Sequence, residues 1–151
     1  MKEFNSLDDI LDFAIESEQN AIDFYGEMAT KASNDEMKQI FESFAIEEMG
    51  HKSKLLDIKQ IGVVATTEKN VKDLKMSDYI VKVQPSANML YGDALILAMQ
   101  REKAQFKLYS NLASRIDDPN MKQVFEMLAM EESKHKLRFE IEYDEYVLKE
   151  N

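Results

Sequence analysis

The chain has 151 residues, a formal net charge of −10 and no cysteine. The negative charge disfavours nucleic acids and anionic membranes as partners, because their phosphate groups would repel the protein. The lack of cysteine excludes disulfides, thiolate metal sites and iron–sulfur clusters on this chain. Scarce glycine and proline, four and two residues respectively, favour an all-α protein.

The length and apolar content predict a single domain that spans residues 1–151. No uncharged apolar run reaches the length that a membrane-spanning helix needs. The N-terminal segment mixes acidic and apolar residues, which is unlike a secretion signal or a transit peptide. We therefore expect a cytoplasmic location.

Helical periodicity predicts a first helix over about residues 7–30 and a second over about residues 35–61. Ser6 is a suitable N-cap for the first helix, and Gly62 is a suitable terminator for the second. The break between the two helices is only a few residues long. Such a short break makes neighbouring helices antiparallel, which predicts a first hairpin over about residues 6–61.

The same periodicity predicts a third helix over about residues 87–115 and a fourth that ends near residue 149. The fourth helix begins at Asp118-Pro119, which is an N-cap followed by proline at the first helical position. These two helices are again separated by a short break, so they predict a second hairpin over about residues 87–149.

A long connection, residues 62–86, joins the two predicted hairpins. Extended, about 25 residues can reach roughly 80 Å, which exceeds the length of about 39 Å of a 26-residue helix. The connection can therefore cross the whole bundle, which is the ferritin-like variant of the four-helix bundle. A short helix is expected somewhere within residues 71–83.

The two hairpins are repeats of each other. Sliding the chain by 84 residues aligns MKQIFESFAIEEMGHK (37–52) with MKQVFEMLAMEESKHK (121–136). The shift also superimposes Glu18 on Glu102 and Tyr25 on Tyr109. The repeat predicts a fold with pseudo-twofold symmetry, in which both hairpins present the same side chains.

Each predicted helix has an apolar stripe that is interrupted by a carboxylate, and two of the stripes also contain a histidine. Burying four carboxylates together is costly unless cations neutralise them, and no lysine or arginine lies beside them on the stripes. Two divalent metal ions would balance the four charges. The spacing Glu-x-x-His places both side chains on one helix face, as in di-metal carboxylate bundles. The candidate metal ligands are Glu18, Glu48, His51, Glu102, Glu132 and His135.

At these positions the chain resembles the rubrerythrin branch of the ferritin-like superfamily. The matching motifs are EQNAIDFY (18–25), EMGH (48–51), EKAQFKLY (102–109) and ESKH (132–135). In both copies a glutamate lies 33 residues before the histidine. The resemblance covers about residues 5–145.

The resemblance implies a non-haem centre of two iron ions, bridged by oxide or hydroxide when oxidised, that reduces hydrogen peroxide. It also implies a homodimer. Because the chain has no cysteine, it lacks the rubredoxin module of full-length members, so a separate donor such as a rubredoxin-like protein must supply electrons. The family has a further ligand glutamate one turn after the helix-three glutamate, and here that position is Gln105.

Several alternatives remain open from the sequence. The pattern fits an enzyme that reduces O₂ instead of peroxide. It also fits a protein that oxidises or binds iron without peroxidase turnover, and a metal-free helical interaction module. Hydroxylation of an organic substrate would need an apolar access pocket. Manganese or zinc fits the same ligands. Tyr25 and Tyr109 fit either core packing or hydrogen bonding to a ligand carboxylate, and Gln105 fits either packing or donation to a metal-bound water.

Overall fold

A computed structural model describes residue 4 and residues 6–61, 74–86 and 88–150. Four long helices account for most of this part of the chain: α1 is Leu7–Lys31, α2 is Asp35–Ile61, α3 is Tyr91–Arg115 and α4 is Pro119–Glu150. A 3₁₀-helix, Met76–Asp78, lies in the connection between α2 and α3. Within the described helices, no stretch is both long and apolar enough to cross a bilayer.

Side-chain caps fix where three of the helices begin. Ser6 accepts a hydrogen bond from the backbone nitrogen of Asp9, at 3.2 Å, at the start of α1. Asn34 accepts one from Met37 at 2.8 Å for α2, and Asp118 accepts one from Met121 at 3.0 Å for α4. Such caps satisfy backbone donors that the first turn of a helix leaves unpaired. The predicted caps at Ser6 and Asp118 are therefore confirmed.

Two apolar clusters show how the helices are oriented. One cluster joins the N-terminal ends of α1 and α4 to the C-terminal ends of α2 and α3. The other joins the opposite ends of the same helices. The pairs α1–α2 and α3–α4 are therefore antiparallel, whereas α2 and α3 point in the same direction. Two parallel consecutive helices require a connection as long as the bundle, which is the ferritin-like arrangement.

The described part of the connection follows this route. Leu74 and Tyr79 belong to the first cluster, and Val81 and Met89 pack against the second. The side chain of Asn111 on α3 donates to the hydroxyl of Tyr79 at 2.8 Å, which attaches the connection to the bundle. The predicted all-α bundle of two hairpins with a long crossover is confirmed.

The predicted start of α3 was wrong by a few residues. We expected it at Ala87, which lies outside the described residues, whereas the helix begins at Tyr91. The backbone nitrogen of Met89 bonds to the carbonyl of Ser86 in a turn, at 3.2 Å, and Leu90 has an extended conformation with ψ of 150°. The expected short helix within 71–83 is the 3₁₀-helix. The predicted terminator Gly62 lies outside the described residues.

Candidate metal centre

Six titratable side chains form a polar layer between the two apolar clusters. They are between 0 and 4% exposed, although each is a carboxylate or an imidazole. Helices α1 and α3 supply one residue each, and α2 and α4 supply two each. The residues of this layer are Glu18, Glu48, His51, Glu102, Glu132 and His135. The structure therefore brings together all six residues that the sequence predicted.

The polar layer divides into two overlapping groups. Glu18 and His51 of the first hairpin face the same point as Glu48 and Glu132. Glu102 and His135 of the second hairpin form the other group with the same two residues, Glu48 and Glu132. In each group every residue offers one ligand atom, and these four atoms lie within 4.8 Å of one another. Glu48 and Glu132 are thus common to both groups. The arrangement has room for two neighbouring cations that share two carboxylates.

Both imidazoles turn Nδ1 toward this layer. Nδ1 of His51 lies 3.0 Å from Oε2 of Glu18 and 2.6 Å from Oε1 of Glu132. Nδ1 of His135 lies 3.5 Å from Oε1 of Glu48 and 3.6 Å from Oε1 of Glu102. The two rings are almost parallel, with an interplanar angle of 14° and centroids 6.3 Å apart.

The other nitrogen of each ring, Nε2, faces a second carboxylate on the partner hairpin. Nε2 of His51 is hydrogen-bonded to Oε2 of Glu131, and Nε2 of His135 lies 3.4 Å from Oε2 of Glu47. An outer carboxylate of this kind fixes the orientation and tautomer of a ligand histidine. Glu47 and Glu131 were not anticipated from the sequence as site residues. The repeated double glutamate was the available signal, but each contact crosses between hairpins, and periodicity within one helix does not show that.

The two tyrosines lie against the polar layer. Tyr25 donates from its hydroxyl to Oε1 of Glu102. The hydroxyl of Tyr109 accepts from Nε2 of Gln105 at 3.1 Å. Burial raises the pKa of both tyrosines well above 10. The charges of neighbouring glutamates raise it further, chiefly Glu102 for Tyr25 and Glu18 for Tyr109. Both hydroxyls therefore stay protonated at neutral pH, and that of Tyr25 donates to Glu102.

The crowding of carboxylates perturbs their protonation. Burial, and next the charge of Glu48, raise the pKa of Glu18 to about 8. Burial and the charges of Glu102, Glu18 and Glu48 raise the pKa of Glu132 well above its usual range. Burial lowers the pKa of His51, but its bonds to Glu18 and Glu48 outweigh this and raise it to about 11. Without a cation the layer therefore holds protons to limit its charge.

The family model described as Rubrerythrin matches residues 9–90 and 93–151. The chain belongs to the rubrerythrin family. Neither the curated proteins nor the solved structures contain a significant match to the chain. The resemblance inferred from the four Glu and Glu-x-x-His motifs is thus confirmed, and it places the repeat within a rubrerythrin domain.

The unpaired atoms of this rubrerythrin domain test whether metal ions fit the polar layer. Among the described residues, the buried side-chain atoms without a hydrogen-bond partner belong almost entirely to it. They include both oxygens of Glu18 and of Glu48 and Nδ1 of His135, which faces the layer. Buried polar atoms are normally paired, so a cluster of lone pairs around one point indicates a missing cation. Rubrerythrin membership and this geometry together indicate a metal site.

One buried glutamate of the rubrerythrin domain lies outside the polar layer. Glu142 on α4 is 4% exposed and was not anticipated from the sequence. It accepts hydrogen bonds from the hydroxyls of Ser33 and Tyr91, both at 3.0 Å. Two neutral donors satisfy it, so it acts as a structural contact at the end of the bundle.

Proposed function

We propose that this protein is a non-haem di-iron oxidoreductase that reduces hydrogen peroxide or O₂ at a diferrous site. The observation that carries the proposal is the pair of overlapping ligand groups sharing Glu48 and Glu132. In this proposal Glu18 and His51 would hold one ion, Glu102 and His135 would hold the other, and Glu48 and Glu132 would be available to both. Four carboxylates and two imidazoles are donors that suit iron.

Bound iron would supply the electrons for reducing the oxidant. The residues of the chain position the ligands. Tyr25 holds Glu102 through its hydroxyl, and Glu131 and Glu47 face the Nε2 atoms of the two histidines. With Nδ1 of each ring available to an ion, Nε2 would carry the proton, and Nε2 of His51 would donate its hydrogen bond to Glu131.

A proton route follows from the same contacts. Glu131 is 34% exposed, whereas its partner His51 is almost fully buried. Glu131 therefore connects the polar layer to solvent, and protons needed for peroxide reduction can enter through this carboxylate. The apolar clusters cover the layer at its two ends along the bundle axis.

Electron supply and assembly belong to the same proposal. Since the chain has no cysteine, a separate protein such as a rubredoxin-like donor returns electrons to the site. We further propose a cytoplasmic homodimer, and neither nucleic acid nor a membrane as a partner.

Stopped-flow oxidation of the protein loaded anaerobically with two equivalents of iron(II) tests the proposal. We expect hydrogen peroxide to oxidise the site much faster than O₂ does, with multiple turnovers when a reduced rubredoxin is added. Analysis of bound metal and an absorption spectrum of the oxidised protein establish whether iron occupies the site. If the chain takes up no metal after iron loading, the metal-free helical module is the better description.

Gln105 favours a second candidate function, a ferroxidase or iron-binding protein. The family's further ligand at this position is a carboxylate, but here the amide donates to Tyr109. A neutral amide is a poorer ligand for ferric iron than a carboxylate. Oxidation by O₂ alone, without turnover of peroxide, would support this candidate over the peroxidase. Loading with manganese or zinc in parallel identifies the metal that the site prefers.

A further inference from the structure

A cavity of about 160 Å³ reaches the polar layer from between α1, α3 and the crossover. Its lining includes Asn20 and Gln84, which are exposed, and Glu48 and Glu102, which are fully buried. The cavity therefore leads from the protein surface to the carboxylates. A volume of this size accommodates a molecule as large as benzene.

The repeat makes the walls of this cavity comparable position by position. Under the 84-residue shift, Ser17 and Ala21 on α1 correspond to Arg101 and Gln105 on α3. All four residues line the cavity. The candidate metal ligands follow the pseudo-twofold symmetry, but the walls of the cavity differ. On α3 the two positions carry long side chains with nitrogen donors, whereas on α1 they carry small side chains. The asymmetry gives one wall a cationic character.

Arg101 has no acidic partner in the part of the chain that the structure describes. It is half-buried, and its guanidinium carbon lies 5.1 Å from the centre of the Phe24 ring. An arginine that is partly removed from water without a carboxylate partner is costly. If two divalent ions neutralised the four glutamates, Arg101 would add a positive charge to the cavity wall that no described carboxylate balances.

We propose that Arg101 gives this cavity a preference for a small monoanion over a neutral ligand of similar size. This inference rests on the proposed function, since the neutral layer requires bound metal. The cavity size limits the ligand to an anion such as azide or a small carboxylate. Gln105, which also lines the cavity, provides an amide beside it.

Anaerobic titration of the iron(II)-loaded protein with azide and with nitric oxide, followed by absorption spectroscopy, tests this inference. Azide is an anion, whereas nitric oxide is neutral. We expect Arg101→Gln to weaken azide binding about tenfold or more and to leave nitric oxide binding and iron stoichiometry unchanged. Arg101→Lys, which keeps the charge, should recover part of the azide affinity.

Lys103→Gln is the matched control, because it removes the same charge from an exposed residue of α3 that does not line the cavity. It should leave azide binding unchanged. Asn20→Asp adds a negative charge at the exposed rim without altering Arg101, and it should weaken azide binding but not nitric oxide binding. This second variant tests the proposal even if Arg101→Gln fails to fold.

The outcomes separate the two proposals. An iron-loaded protein whose azide affinity is the same with and without the Arg101 charge overturns the anion site alone. Equal weakening of azide and nitric oxide also overturns it, since the metal ions themselves would then have been disturbed. A wild-type protein that takes up no iron overturns the proposed function and the anion site together.

Discussion

Each histidine of the polar layer faces an outer carboxylate, and the two contacts differ in length and burial. The side chain of Glu131 is 34% exposed and bonds directly to His51. The side chain of Glu47 is 45% exposed and lies 3.4 Å from His135. His135 has an additional support, because its ring stacks on Phe44 with centroids 3.9 Å apart. The repeat places Leu128 at the position equivalent to Phe44, so His51 depends more on its carboxylate.

This difference gives a prediction about two matched variants. Glu131→Gln should reduce metal affinity about tenfold or more, the usual effect of losing an outer carboxylate. Glu47→Gln should cost less, because its contact is longer and more exposed and because Phe44 still fixes His135. Zinc affinity measured by competition with a chelator checks both. Equal losses in the two variants would contradict the supporting role of Phe44, and no loss in either would show that the outer contacts do not orient the rings.

The shared carboxylates give a prediction about stoichiometry. Glu18→Gln should lower the bound iron from about two ions to about one, because Glu18 belongs to only one group. Glu48→Gln should weaken both ions, because Glu48 belongs to both groups. Metal analysis after gel filtration measures the ratio. Glu16→Gln, at an exposed position of α1, is the control and should retain two ions.

At the scale of the helices, capping and the amphipathic stripe determine where each element begins and which face it buries. The stripe predicted for α1 is buried throughout, and it consists of Leu7, Leu11, Ala14, Glu18, Ala21, Tyr25 and Met28. The stripe predicted for α2 contains one partly buried residue, Phe44. Its other residues are buried, and they are Met37, Phe41, Glu48, His51, Leu55 and Ile58. Caps at Ser6 and Asp118 were evident from the sequence, because such residues precede an apolar period. The start of α3 was less evident, because Leu90 at its N-cap has no capping side chain.

The cap of α2 gives a prediction about stability. Asn34→Ala should lower the free energy of unfolding by about 1 kcal/mol, which corresponds to a Tm lower by about 2–4 °C in a chain of this size. The cause is the loss of the bond from the Met37 backbone nitrogen to Asn34. Asn34→Asp keeps an acceptor and should retain most of the stability. Calorimetry measures both, and metal content should stay unchanged, since Asn34 is remote from the polar layer.

At the scale of the whole molecule, a layer of buried charge separates two apolar clusters. The four helices bring the carboxylates together, so their mutual repulsion destabilises the fold unless cations bind. Metal that binds only the folded state stabilises it by mass action. The polar layer therefore links metal occupancy to the stability of the entire bundle.

The metal-free protein should lose stability as the pH rises. Glu18 has its pKa raised from 4.5 to about 8, so between these values the folded chain keeps a proton that the unfolded chain releases. His51 has its pKa raised from 6.5 to about 11, and its contribution is present below 6.5 and lost toward 11. Both effects lower the free energy of unfolding with rising pH. We expect a Tm at least about 3 °C lower at pH 9 than at pH 6.

Adding metal should have the opposite effect. Ligands bind metal in their deprotonated form, so the stabilisation grows with pH. At a free metal concentration a hundredfold above Kd, Tm should rise by about 5–10 °C. Calorimetry of stripped and loaded protein at both pH values measures this. Identical melting of the two forms would contradict an assembled metal site.

The sequence by itself determined the four helices, their inward carboxylates and histidines, and the family, because periodicity, the internal repeat and the Glu-x-x-His spacing are local features of the chain. Only the tertiary structure decided which groups meet across helices. The contacts of His51 with Glu131 and of Tyr25 with Glu102, the sharing of Glu48 and Glu132 and the cavity beside Arg101 depend on the relative rotation and axial position of packed helices. Side-chain spacing along one helix does not fix these quantities, since they follow from how the apolar faces of all four helices pack together.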